Sequence, residues 1–422
     1  VEYKQHVARL RTELDRWWKP NAATGGQPLE IADLETRVIS KADGRWFGRA
    51  TVERTAEGTL VLCYRGASRH TGADGVIHVR FSSDGGQNWS DADHALDGSA
   101  IAGFPISFDG DDAFEPYLYV APNGKIILHV WRTTGPNHRE GKGTWQTDSS
   151  DNGRTWTESN RNLGIRYVRW MTSSASPTAA TLVGTEPAGI FISRDGGVTW
   201  TPNPEVSGLR DRYGWFLPYS PNAGCVRGFA FAESGPKRDR VYAAAEVGGV
   251  LVSDDSGDTW QLVEGSDGKP DLNREFGTMV HPDVHSIAVH PSSSDIVTAA
   301  TGGGLYRSID GGRTWSNIYD CYIRAMWVDP NDAQHIIAGP ADGVSRNGRI
   351  EESFDGGRNW ESASEGMNVP WPRHMVERFV QVGDHLFAIL SNGELRLKPM
   401  KEVRWQRVLP EIARIKAIAA GS

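Results

Sequence analysis

The residues best placed to do chemistry in this 422-residue chain recur at one position. Glu115, Arg169, Arg227, His285, Arg324 and Glu377 each stand at the mouth of a short, β-like apolar run. Guanidinium forks there would grip carboxylates or hydroxyls, carboxylates would take hydroxyls or protons, and Trp or Tyr faces would stack on sugar rings. The set would form a pocket for an anionic or polyhydroxylated ligand. It would equally line a water-filled channel, with each polar group bonded only to backbone. Arg49, Arg65, Arg69, Trp131, Glu186, Glu246 and Arg378 fall on the same side of their units and join the ligand-contacting candidates. So does Trp215, from the stretch GLRDRYGWFLPYSPNAG at 208–224. That stretch reads as a long loop, either a lid over the site or a packed crossover.

The elements that must position these residues come from a repeat. Residues 284–315, VHSIAVHPSSSDIVTAATGGGLYRSIDGGRTW, hold three short strands and then a turn, SIDGGRTW. In that turn Asp310 would accept backbone N–H groups, Gly311 and Gly312 would permit positive φ, and Trp315 would open a fourth strand with a buried ring. The turn recurs as SSDGGQNW, SSDNGRTW, SRDGGVTW, SDDSGDTW and SFDGGRNW, ending at Trp89, Trp156, Trp200, Trp260 and Trp360. A seventh unit keeps the strands and Trp405 but loses the turn. Four strands per unit, with tryptophans 44 to 67 residues apart, predict an all-β, seven-bladed β-propeller with four-stranded blades. The expected domains are 1–44, a helix with linker or edge strand, and 45–422, the propeller.

The turn motif, over roughly residues 45–420, resembles the Asp-box or BNR-repeat propellers, a family that includes sialidases, xyloglucan-cleaving glycosidases, sortilin-type receptors and photosystem II assembly-factor-like proteins. The first two units look sialidase-like, and the units from Ile165 onward look more like the assembly-factor-like and uncharacterised bacterial members. The sialidase resemblance implies Arg49, with Arg65 or Arg227, as a clamp on a substrate carboxylate and Asp74 as acid/base. It also implies a late tyrosine nucleophile, yet no tyrosine follows Tyr322. The xyloglucanase resemblance implies a carboxylate pair, drawn from Glu186, Glu246, Asp283 and Glu377. The expected function is therefore a sialidase- or glycosidase-like propeller that binds or hydrolyses a carbohydrate, with Asp74, Glu186 and Glu246 as catalytic candidates. The alternative is a non-catalytic, protein-binding propeller of the assembly-factor-like kind.

Charge and composition narrow the partners. A net charge of −8 without a Lys/Arg stripe argues against nucleic acid, and no apolar run is long enough to cross a bilayer. Expected partners are a small-molecule or glycan ligand and a possible protein partner. The 48 Gly and 16 Trp suit a turn-dense all-β chain, and 3 Cys without ligand spacing predict neither disulfide scaffold nor metal site. No cofactor is expected. The acidic loop 109–115 reads as solvated rather than calcium-binding. Residues 2–18 have the spacing of an amphipathic helix, and IKAIAA at 415–420 resembles a ring-closing strand. The expected location is the cytoplasm, with export the alternative for a chain trimmed before Val1.

Overall fold

The structure is a computed structural model, and it describes residues 38–415 except 71, 135–139, 158–160, 166, 175–179, 221–222, 233–236 and 411–414. The expected helix at 2–18 and all of 415–420 but Ile415 lie outside the described residues. Seven antiparallel sheets follow one another along the chain. Six have four strands and the first has three. A fourth strand was expected after Trp89. Instead Ser90 and Asp93 donate to Phe81 and Val79 at 2.8 Å each, and the chain turns away through an isolated bridge between His94 and Ala100.

The described chain divides into two compact units, one ending at Asn203 and the other beginning at Pro204. Within each, consecutive sheets stack through their apolar faces. In the first unit Val61, Ile77 and Phe81 pack on Leu118 and Leu128, and Ile127 packs on Val168 and Val183. In the second, Tyr242 and Val252 meet Val297 and Trp315, Leu305 meets Ile323, and Ile337 meets Leu386 and Trp405. Each buried side chain of this size contributes about 1.5–3 kcal/mol. Trp156, Trp200, Trp315 and Trp360, which end four of the turns, take part in these clusters between sheets.

The six turns share one build. In 308–315, Asp310 Oδ1 accepts Ser308 Oγ at 2.8 Å and the Thr314 N–H at 2.9 Å, while Oδ2 accepts Thr314 Oγ1 at 2.6 Å. Ser308 Oγ in turn accepts the Gly312 N–H at 2.8 Å. Gly312 sits at φ 87°, and a Cβ there would come within 2.9 Å of Val263, so the position suits glycine alone. Every carboxylate of this kind is consumed by its own turn, which fits a structural role.

The stretch 208–224 is not one long loop. Pro204–Tyr213 is an α-helix, opened by a proline at its first position and closed by Gly214 at φ 65° with the Trp215 N–H on the Arg210 carbonyl at 3.1 Å. Pro204 lies upstream of 208–224 and sets the helix start, and the weak apolar periodicity of PEVSGLRDRY gives the sequence little helical signature.

Candidate functional site

All seven first strands break register near their start. The breaks lie between Gly48 and Thr51, Phe114 and Pro116, Val168 and Trp170, Val226 and Gly228, Val284 and Ser286, Ile323 and Met326, and Val376 and Arg378. A β-bulge leaves one residue unpaired and re-aims its side chain. The residues so placed include Arg49, Glu115, Arg169, Arg227, His285, Arg324 and Glu377. The recurring polar position of the sequence is therefore a recurring bulge. In the fifth sheet Val289 pairs with Val297, which pairs with Ser308 of the turn, so bulge and Asp-box turn occupy opposite ends of a sheet.

In the unit ending at Asn203 the bulge charges neutralise one another. Arg49 meets Glu115 at 2.5 Å, and Arg169 Nε donates to Glu186 Oε2 at 2.7 Å while its guanidinium lies 4.6 Å from the Tyr167 ring centre. Trp131 stacks on Tyr167 at 4.8 Å. Arg65 is wholly buried, donating to Asp112 and the Gly72 carbonyl at 2.7 Å each and to the Ala113 carbonyl at 3.1 Å. That environment gives a substrate carboxylate no approach to it. Asp74 is exposed and accepts the Ser68 N–H and hydroxyl at 2.9 and 2.8 Å. Burial works to raise its pKa, but the Ser68 bonds outweigh it and hold the carboxyl below its ordinary range, the wrong direction for a proton donor. Arg69 is exposed. In the acidic loop Asp111 pairs with Arg132 at 2.6 Å and Lys142 at 3.0 Å, which spends the carboxylate a calcium ion would need.

The unit beginning at Pro204 gathers the densest set. Arg227 Nη1 donates to Glu246 Oε2 at 2.8 Å, and the Tyr219 hydroxyl bonds to the same carboxylate. His285 Nε2 lies 3.3 Å from Asp283 Oδ1, and its Nδ1 meets the Ile323 carbonyl at 3.0 Å. Ligand atoms of Glu246, Asp283 and His285 all fall within 4.8 Å of one another. Arg324 Nη1 bridges both oxygens of Glu377 at 3.0 Å, and its Nε donates to the Tyr322 hydroxyl at 2.9 Å. The Tyr322 ring stands 5.0 Å from the His285 ring. The recess is open to water: side-chain exposure is 31% for Arg227, 24% for Arg324 and 33% for Glu377, against 3% for His285.

Electrostatics sets the protonation states. Burial would raise the Glu246 carboxyl, but Arg227 and then His285 outweigh it and hold it below its ordinary value. Asp283 is held down in the same way, against burial, chiefly by His285. Burial, with Asp283 and Glu246 nearby, pushes the Tyr322 phenol up to about 12 despite Arg324, and burial also raises Tyr219. Neither phenol is poised as a nucleophile. Glu246 and Asp283 do lie close together, yet neither is prepared to donate a proton as hydrolysis requires.

Two proposed contacts of the unit beginning at Pro204 fall outside this group. Trp215 is 2% exposed and donates to the Gly268 carbonyl at 2.8 Å, so it supports the fold beneath the helix. Arg378 is exposed, one residue past the last bulge. Tyr322, which sequence reasoning did not single out, belongs to the recess. The signal for it was its place two residues before Arg324, matching Tyr167 before Arg169, Cys225 before Arg227 and Asp283 before His285. Alternate strand residues share a face. A separate cavity of about 390 Å³ opens at the turn end of the first unit, lined by Thr55, Asn123, Lys125, Asp151, Asn152 and Asp195 among others. The two Asp-box carboxylates, Asp151 and Asp195, are already held by their own turns.

The chain matches the BNR repeat-like domain over residues 58–201. No curated protein matches it. Among solved structures it is similar to YCF48 from Cyanidioschyzon merolae, at 14% identity over 83% of this chain and 95% of that one, with a TM-score of 0.44. It is also similar to a GH74 enzyme of Niastella koreensis, at 13% identity over 87% and 70% with a TM-score of 0.33. A third is the Hadza microbial sialidase Hz136, at 14% identity over 86% and 66% with a TM-score of 0.31. Residues 58–201 thus match a BNR repeat-like domain, and turns of the same hydrogen-bonded build recur beyond them at Asp255, Asp310 and Asp355.

Proposed function

We propose that this protein binds a neutral, polyhydroxylated carbohydrate in the recess of Arg227, Glu246, Tyr219, Tyr322, Arg324 and Glu377, without hydrolysing it. We further take the seven sheets to be the blades of one propeller, which the repeat and the face-to-face stacking within each unit support. One observation carries the binding reading: each arginine at a bulge of the recess has its own carboxylate partner, at 2.8 Å for Arg227 and Glu246 and 3.0 Å for Arg324 and Glu377. An anionic ligand would have to compete with the carboxylate each guanidinium already holds and would meet that carboxylate's own negative charge. A sugar hydroxyl has no such conflict, because it donates to the carboxylate and accepts from the guanidinium at once. The exposed Tyr219 ring offers a face for a pyranose. Hydrolysis is disfavoured because Glu246 already accepts from Arg227 and Tyr219, and both Glu246 and Asp283 are held below their ordinary range.

The test is calorimetric titration of the full chain with neutral and acidic oligosaccharides beside a panel of chromogenic glycosides, sialosides included. Binding of neutral sugars without turnover is expected. Glu377→Gln should weaken binding about 10- to 150-fold, the equivalent of about 1.5–3 kcal/mol for a hydrogen bond to a charged group. Turnover that disappears in Asp74→Ala, or selective binding of acidic sugars or of peptides alone, would overturn the proposal.

A further inference from the structure

The geometry points to a divalent metal site, best suited to zinc, formed by His285, Asp283 and Glu246 at the floor of the same recess. It does not depend on the carbohydrate reading, since a metal is measured without any sugar present. The argument begins with the histidine. Its side chain is 3% exposed, and its Nδ1 lies 3.0 Å from the Ile323 carbonyl, an acceptor only. Nδ1 must therefore carry the proton, and in the neutral ring Nε2 is then a bare lone pair. That lone pair faces Asp283 Oδ1, which is another acceptor. Two acceptors facing each other at this distance require a cation between them, either a proton or a metal.

The spacing accommodates a metal as well as a proton. A charge-assisted hydrogen bond between imidazolium and carboxylate closes to about 2.7–2.9 Å. Here the pair stands at 3.3 Å. Zinc bonds of about 2.0 Å to nitrogen and oxygen, at a tetrahedral angle, place neighbouring donors about 3.3 Å apart. Glu246 supplies the third donor, within 4.8 Å of both others. One imidazole and two carboxylates leave the fourth tetrahedral position open toward the recess, and the donor set suits zinc better than calcium or magnesium, which prefer oxygen alone. The supporting contacts are those of a metal centre: the Ile323 carbonyl fixes the histidine tautomer, and Arg227 at 2.8 Å ties up one Glu246 oxygen. Gly302 makes room, since a Cβ there would lie 2.2 Å from Asp283 Oδ2.

The full chain, stripped with a chelator and reloaded with zinc, should retain one equivalent by mass spectrometry of the metal. Loaded with cobalt(II), it should show the visible absorption of a four-coordinate site. Asp283→Asn and His285→Gln should each weaken zinc, in competition with a chromophoric chelator, by at least the roughly 100-fold that loss of an outer-shell partner can cost. His335→Gln, remote from the site, should bind zinc as the parent does. Circular dichroism checks that the variants fold. If they do not, nitrogen NMR of the parent decides: an Nε2 resonance shifted by zinc supports the site, and a His285 ring protonated on both nitrogens with zinc present overturns it. Folded parent protein that holds no stoichiometric zinc, or variants that bind zinc as tightly as the parent, would likewise refute it.

Discussion

Arg65→Met separates a structural arginine from a substrate clamp. Arg65 is wholly buried and bonded to Asp112 and to the carbonyls of Gly72 and Ala113, with the Trp46 and Phe114 rings 5.7 and 5.1 Å from its guanidinium. Methionine keeps much of the stem's volume and removes every donor. Breaking a buried ion pair on one side costs about 3–5 kcal/mol, and each buried carbonyl stripped of its donor adds about 1–3 kcal/mol. Asp112 retains the Gly75 N–H at 2.7 Å, which keeps the total near the lower end, about 5–7 kcal/mol. Against a typical stability of about 5–15 kcal/mol, that is a large loss. Urea denaturation followed by tryptophan fluorescence should show the midpoint falling steeply for the unit that ends at Asn203. In a double-mutant cycle Asp112→Leu should recover part of the loss, because it removes the uncompensated charge. A variant that unfolds like the parent but no longer binds ligand would refute the reasoning and return Arg65 to the clamp role.

Two further outcomes follow from single contacts. His335 lies between Asp329 at 3.1 Å and Glu352 at 2.6 Å; burial opposes its charge, but those bonds outweigh it and raise its pKa above 6.5. Its contribution to stability is then fully present below pH 6.5 and is lost as pH rises through the folded value. His335→Gln should therefore destabilise by about 1–3 kcal/mol at pH 5.5 and much less at pH 9, and a penalty in thermal melts that does not change with pH would rule this out. Gly302→Ala should drive the Asp283 carboxylate out of place, costing about 1–3 kcal/mol by overpacking and abolishing zinc retention. A variant with the parent's melting temperature and zinc content would contradict the close approach.

The repeat was legible because six turns repeat the same Ser, Asp, Gly and Trp spacing, and each of those residues serves its own turn. The polar position was legible for the same reason: a bulge at a fixed offset leaves a polar or charged residue at the start of every first strand. What the sequence did not display was whether each charge was already spent. Arg65 and Arg169 look alike as residues near a strand mouth, yet Arg65 is sealed between two rings and Arg169 faces Glu186 with 29% of its side chain exposed. Partners such as Glu246 for Arg227, 19 residues away, arise from strand register and not from local spacing. The helix Pro204–Tyr213 escaped for a different reason. It buries Val206 alone, so it has almost no apolar stripe to read.

The pairing at the bulges follows three routes, and their differences locate the site. Arg49 and Arg324 find their carboxylate at the bulge of the following sheet, on Glu115 and Glu377. Arg169 and Arg227 find it at the end of their own second strand, on Glu186 and Glu246, which pair with Tyr167 and Cys225 two residues before the bulge. In the fifth sheet the equivalent second-strand position is Gly302, which follows the Thr301 paired with Val284 and donates its N–H to the Asp283 carbonyl at 2.9 Å, and the bulge carries His285 with Asp283 two residues before it. A scheme that only neutralised charge would have put an arginine and a second-strand carboxylate there as well. Instead the sheet substitutes a group that binds metals when neutral, moves its carboxylate onto its own strand, and borrows Glu246 from the sheet before it. Structural pairing calls for two opposite charges, whereas three converging ligands around one buried nitrogen call for a cation. The departure from the repeat, rather than the repeat itself, is where this chain has room for chemistry of its own.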